Sequence, residues 1–265
     1  MGIFQKSTPL EKELAGLQRS EQAFLSAQAR RRASLVSRAL EDRVPEKLQG
    51  AIEQGFDKAF SLVFQKGSGL IEKTLGRERR QEAYFQGRCA LDAEADRKNL
   101  RSFSGASRRA GLGNRLVSGA AGLGMGVFGV GLPDIPLFTA MVLKSVYETA
   151  LSYGFDYDSA EEKIFVLTLI RCAVSVGDEV WSVNGDLDRF IDDGRWPEGL
   201  DLETAEKAAS AALSEELLYV KFLQGIPVVG AVGGVYDAVY IDRVSRYADL
   251  KYHRRLLKKL FAERK

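Results

Sequence analysis

The chain has 265 residues and a mass of 29.2 kDa, 45% of it hydrophobic, enough for one large packed domain or two small ones. A net charge of +2 from 28% charged residues provides no global field for nucleic acid, and no nucleic-acid partner is expected. Two cysteines, Cys89 and Cys172, are too few for a disulfide framework and lack metal-site spacing, which fits a reducing, cytoplasmic compartment.

The opening residues MGIFQKSTPLEKEL carry no basic segment followed by an apolar run, so no signal peptide is expected, and Ser7 falls one position too late after Gly2 for a myristoylation pattern. Thr8-Pro9 with Glu11 reads as a helix start, and the helical pattern continues to about Leu40. Residues 1–44 are therefore read as an N-terminal helical arm, ahead of a domain spanning 45–265. Pro45 opens an amphipathic helix in which Leu48, Ile52, Phe56, Ala59, Phe60 and Val63 recur at three- and four-residue spacing, closing at Lys66-Gly67-Ser68-Gly69. A charged segment from about Leu70 to Leu100 has Tyr84, Phe85 and Leu91 as its apolar points, and its charges are expected to cover a solvated face. The basic run from Arg97 to Arg115 is read as a solvated linker leading into the core; phosphates are its other natural partner, but Phe103 alone is interleaved, too little aromatic surface for base stacking.

The stretch from Arg115 to Lys144 organises the rest. Its first half is apolar and approaches the ~20 residues that span a bilayer, yet it holds Gly119, Gly122, Gly124, Gly126, Gly129 and Gly131. Glycine inside a helix costs about 1 kcal/mol relative to alanine, recovered where another backbone packs closely. Ser118, Gly122 and Gly126 lie four apart, a small-residue stripe suited to such packing. Leu132-Pro133-Asp134-Ile135-Pro136 then starts a new helix, with Asp134 as N-cap and Pro136 in the first turn.

That helix carries Phe138, Met141, Val142, Val146 and Ala150 inward, places Lys144 and Glu148 four apart on another face, and ends at Gly154. Asp158 with Glu161 reads as a capping box for the run IFVLTLIRCAVSV, apolar almost all round and so the central buried helix. Trp181 to Gly199, with Asn184-Gly185 and Asp193-Gly194 as turn signals, stays open between a hairpin and helical turns. A helix from about Asp201 to Phe222 follows, then a shorter glycine-rich block from Gly225 to Gly234, then a long last helix with a basic tail of Arg254, Arg255, Lys258 and Lys259. No long segment alternates with period two, so the fold class is all-α, with core helices starting near Ile135, Asp158, Asp201 and Val235 and the two glycine-rich segments packed among them.

Two blocks resemble the bacterial EcsC family: GVGLPDIPLFTAMVLKSVYETALSYGFD, from Gly129 to Asp156, and GIPVVGAVGGVYDAVYIDRVSRYA, from Gly225 to Ala248. Gly122, Gly126, Gly131, Pro133, Asp134, Pro136, Gly230 and Gly234 form the structural motif around them. The family is named after a protein encoded beside the ATPase and permease of an ABC transporter. The resemblance therefore implies a bacterial protein linked to membrane transport and is nearly silent on activity.

Individual motifs are weighed against their structural uses. Gly124-Met125-Gly126-Val127-Phe128-Gly129 matches Gly-x-Gly-x-x-Gly, but no strand precedes it and no dinucleotide cofactor is expected. The glycine-rich segments have three readings. They are buried helices in close contact; or elements that meet a membrane through Leu116, Met125, Phe128, Leu132, Ile226 and Val229, with Arg108, Arg109 and Arg115 on anionic headgroups; or the walls of an apolar or lipid-ligand pocket. For chemistry, Asp134 with Glu148 and Asp237, joined by Asp156 or Asp242, would form a hard-metal or acid–base site of a hydrolase. His253, the sole histidine, sits in a basic run read as surface and is poorly placed as a shielded base. The leading expectation is a non-enzymatic protein on the cytoplasmic side of a membrane, with a membrane surface or membrane protein as partner and no metal or cofactor.

Overall fold

Capping chemistry sets most of the helix boundaries. A computed structural model describes residues 7–31, 46–65, 71, 74–113, 135–223 and 233–264; the glycine-rich stretches and Asp134 lie outside these. Helix α1 (Pro9–Arg30) begins in a capping box, with the Thr8 hydroxyl accepting from Glu11 N–H and the Glu11 carboxylate accepting from Thr8 N–H at 2.7 Å. It ends at Arg30, so the part of the expected helix running on to Leu40 falls outside the described residues. The amphipathic helix read from Pro45 is α2 (Glu46–Gln65), and it buries Ile52, Phe56, Ala59 and Phe60.

The segment read as one helix from Leu70 to Leu100 divides into α3 (Arg77–Ala93) and α4 (Arg97–Gly113). The break is built by side chains. Asp96 Oδ1 accepts from Asn99 N–H at 2.7 Å and starts α4, while Asn99 Nδ2 donates back to the Glu94 and Ala90 carbonyls and closes α3. The basic run expected to be a linker is thus a helix through Gly113, anchored by buried Leu100 and Phe103.

Helix α5 (Ile135–Ser152) is buried on nearly every side and ends at Gly154, whose φ of +77° belongs to the left-handed region that glycine enters without strain. A Cβ there would also meet the Tyr84 ring at 2.2 Å. Helix α6 (Ala160–Val174) starts one residue later than expected: Ser159, not Asp158, caps Glu162 N–H, and Asp158 turns to Arg77. The open segment resolves as α7 (Glu179–Asp193), closed by Gly194 at φ +68°, with a loop from there to α8 (Leu202–Leu223). Val180, Val183, Leu187 and Ile191 supply its buried stripe; Gly185 is accommodated because nothing approaches its α-carbon. Helix α9 (Gly233–Ala262) completes nine helices among the described residues, and no described element is a strand, so the chain is all-α.

Helix α9 serves as a ruler for the rest. Near its start Tyr240 meets Phe138 of α5 edge-on; further along, Tyr247 stacks on Phe24 of α1 and bonds Asn184 of α7; then His253 stacks on Tyr153 at the end of α5. Helices α5 and α7 therefore run parallel to α9, and α1 runs antiparallel. Helix α8 reaches α9 near its start, where Glu216 faces Tyr240 and Arg243. Its other flank packs on α6 and α2.

Candidate functional site

Charged residues inside this bundle define the site to be judged. Glu148, of the Asp134–Glu148–Asp237 carboxylate set, does not lie on a separate polar face. It is 3% exposed, 2.9 Å from Arg80 Nη2 and 3.8 Å from Lys144 Nζ, while Arg80 Nε also donates to the Leu75 carbonyl. The α3 arginine thus enters the core instead of covering a solvated face. A carboxylate held between two cations tethers α3 to α5, which is a structural use of the charge.

Three more buried carboxylates are treated the same way. Glu162 accepts from both Arg255 guanidinium nitrogens at 2.7 and 2.9 Å and from the Tyr252 hydroxyl at 2.6 Å, and the guanidinium lies 4.2 Å from the Phe155 ring centre and 4.4 Å from that of Phe165. Glu216 is clasped by Arg31 and by Arg243 at 3.0 Å, with the Tyr240 hydroxyl at 3.2 Å. Glu21 of α1 meets Lys251, whose side chain has no exposure at all and also donates to Asp188 at 2.5 Å. Arg254 shares Asp188 and reaches Asp192, and Lys258 donates to Asp192. Lys251, Arg254 and Arg255 therefore form a largely interior seam between α9 and the helices α1, α6 and α7, whereas Lys258 is partly exposed and Lys259 exposed.

A hydrogen-bond chain continues inward from this seam: Asn184 Nδ2 donates to Asp188, Tyr247 Oη donates to Asn184, and Cys172 Sγ donates to Tyr247. Burial pushes the Cys172 thiol up to about 12, so it stays protonated and inert as a nucleophile. His253 is also interior, not surface: it is 2% exposed, stacked on Tyr153 and 3.9 Å from Glu13. At the surface Arg77 pairs with Asp156 at 2.5 Å and Asp158 at 3.3 Å. Desolvation raises both carboxyls; for Asp156 it is outweighed by the Tyr157 N–H and Arg77, which hold it down, whereas the neighbouring Asp156 charge keeps Asp158 up.

Among the described residues no group of three or more histidine, cysteine, aspartate or glutamate side chains is arranged to hold a metal ion. A cleft of about 530 Å³ lies between the starts of α1 and α4 and the ends of α3 and α9. Arg88, Asp92, Glu94, Asp96, Glu263 and Arg264 line it, a wall unsuited to an apolar ligand. No described helix is long and apolar enough to cross a membrane. Asp134, Arg115, Leu116, Gly122, Met125, Gly126, Phe128, Gly131, Leu132, Pro133, Ile226, Val229 and Gly230 lie outside the described residues. Arg108 and Arg109 fall in the last turns of α4, Pro136 in the first turn of α5, and Gly234 and Asp237 in the first turns of α9. The buried lysine and arginines of α9 were not singled out from sequence. Their signal is that Leu250, Tyr252, Leu256, Leu257 and Leu260 surround the helix and leave no outward stripe for the basic residues between them.

The family model for the EcsC protein family matches residues 10–257, from the start of α1 almost to the end of α9. The chain belongs to the EcsC family. This EcsC-family chain is similar to Protein EcsC of Bacillus subtilis (strain 168), at 24% identity over 240 residues that cover 86% of this chain and 87% of that protein. No solved structure matches it. The match reaches well beyond the two blocks that carry the sequence resemblance and takes in α1 with its buried Glu21, a helix ahead of any recognisable motif.

Proposed function

We propose that this EcsC-family protein is a non-enzymatic accessory that works at the cytoplasmic surface of a membrane, beside a transporter or another membrane assembly. The observation that carries the reading is the contrast between two kinds of segment. The candidate carboxylates whose partners are described are spent on ion pairs, Glu148 with Arg80 inside the bundle, Asp156 with Arg77 and Asp242 with Arg246 at its surface. The two glycine-rich segments, by contrast, are apolar over most of their length, and Arg108, Arg109 and Arg115 stand at the entry to the first of them. Apolar residues next to cations suit a surface that offers acyl chains beside anionic headgroups. The link to transport rests on family membership.

The test is co-flotation of the purified protein with anionic and with neutral liposomes at low and high salt, comparing wild type with Arg108→Glu/Arg109→Glu/Arg115→Glu. Binding that needs anionic lipid and is lost in the variant supports the reading. Absence of wild-type binding under every condition refutes it.

A further inference from the structure

The geometry points to an end-on orientation: we propose that the bundle end where α5 and α9 begin is the end that meets an anionic bilayer. This rests on the membrane reading above and adds which surface does the docking. The described flanks of both glycine-rich segments come together there. Helix α5 starts at Ile135 and α9 at Gly233, and Phe138 against Tyr240 shows the two starts side by side. Leu223, the end of α8, is seven residues past Glu216, about 10 Å along a helix, and Glu216 is clasped to Tyr240 and Arg243 at that same end. Helix α4 starts beside Glu263 and Arg264, passes Tyr153 at Phe103, and so runs towards the start of α5 with Arg108 and Arg109 in its final turns. Helix α1 ends there too, at Arg31 on Glu216.

Near the α5/α9 start Val239 is 49% exposed, an apolar side chain close to the flanks of both segments. Towards the other end, exposed Asp156, Asp158 and Glu161 stand at the α5–α6 turn, Asp192 and Asp193 close α7 beside Lys258, and Asp201 opens α8. Arg77 pairs with Asp156 and Asp158, and Lys258 with Asp192, so it is the meeting of the segment flanks, and not net charge, that selects the α5/α9 start.

The experiment uses the full chain with Cys89→Ser, since Cys172 is fully buried, and places one polarity-sensitive fluorophore on Val239→Cys or on Asp193→Cys. Each is mixed with phosphatidylglycerol–phosphatidylcholine vesicles carrying a lipid-borne quencher, with flotation run in parallel. The expected result is a blue shift and loss of emission at position 239 and no change at 193. Floated protein that is quenched at 193, or equally at both positions, overturns the orientation while leaving membrane binding intact. A wild-type protein that does not float removes both the membrane reading and the orientation built on it.

Discussion

Replacing Lys251 with methionine should unfold more of this protein's stability than any surface change. The ammonium has no exposure and sits between Glu21 and Asp188; Asp188 retains Arg254 at 2.5 Å after the change, but the nearest cation left to Glu21 is Arg254 at 3.8 Å. Removing one partner of a buried pair costs about 3–5 kcal/mol, because a charge is left dehydrated without compensation. Against the roughly 5–15 kcal/mol of a typical domain that is a large share, and it corresponds to a fall in Tm of roughly 10 °C. Pairing Lys251→Met with Glu21→Met removes both charges and leaves two unbranched apolar chains, so most of the loss should return. Urea unfolding followed by far-ultraviolet circular dichroism gives the stabilities, and an unchanged m-value keeps the comparison valid. A single variant within 1 kcal/mol of wild type, or a double variant as weak as the two singles summed, would refute the account; the threshold is roughly the worth of an exposed pair.

Two further outcomes follow from the same structure. Gly154→Ala forces a Cβ into the Tyr84 ring at a φ of +77° and should cost about 2–4 kcal/mol, whereas Gly185→Ala, in the middle of α7 with open space around it, should stabilise by about 0.5–1 kcal/mol; thermal melts separate the two. Burial, helped by the charges of Asp57 and Glu203 and opposed by the Ser61 hydroxyl, raises the Glu206 carboxyl above its ordinary 4.5. A carboxyl raised in the folded state contributes its stability below the unfolded value and loses it as pH climbs past the folded one, so Glu206→Gln should match or exceed wild type at neutral pH and lose that advantage below about pH 4.5. A melt series in which the variant is weaker at neutral pH and stronger in acid would contradict the sign.

The helices were legible where either a cap or an apolar stripe announces them, Thr8-Pro9 with Glu11 for α1 and the spacing of Ile52, Phe56, Ala59 and Phe60 for α2. Helix α7 was obscured because Asn184-Gly185 has the composition of a turn, although Val180, Val183, Leu187 and Ile191 keep helical spacing through it. The break between α3 and α4 depends on the Asn99 side chain folding back onto two carbonyls, a contact that no periodicity announces. Misplacing His253 and the α9 cations had a different source. A basic run is ordinarily solvated, and here Lys251, Arg254, Arg255 and Lys258 meet acids from helices far away in sequence, such as Glu162 for Arg255 or Asp188 for Arg254. Partnerships of that kind are properties of the packed bundle, so local composition points away from them.

Helix α9 draws its partners from far back in the sequence. Glu21 and Lys251 are separated by 230 positions, and Glu162 waits 93 residues for Arg255. Helices α2, α5, α6 and α8 pack on one another without α9, while Glu21 and Glu162 find their cations on it. Forming α9 therefore closes seams to α1, α6, α7 and α8 across long stretches of chain, a high-contact-order step that should slow folding relative to a bundle of neighbouring hairpins.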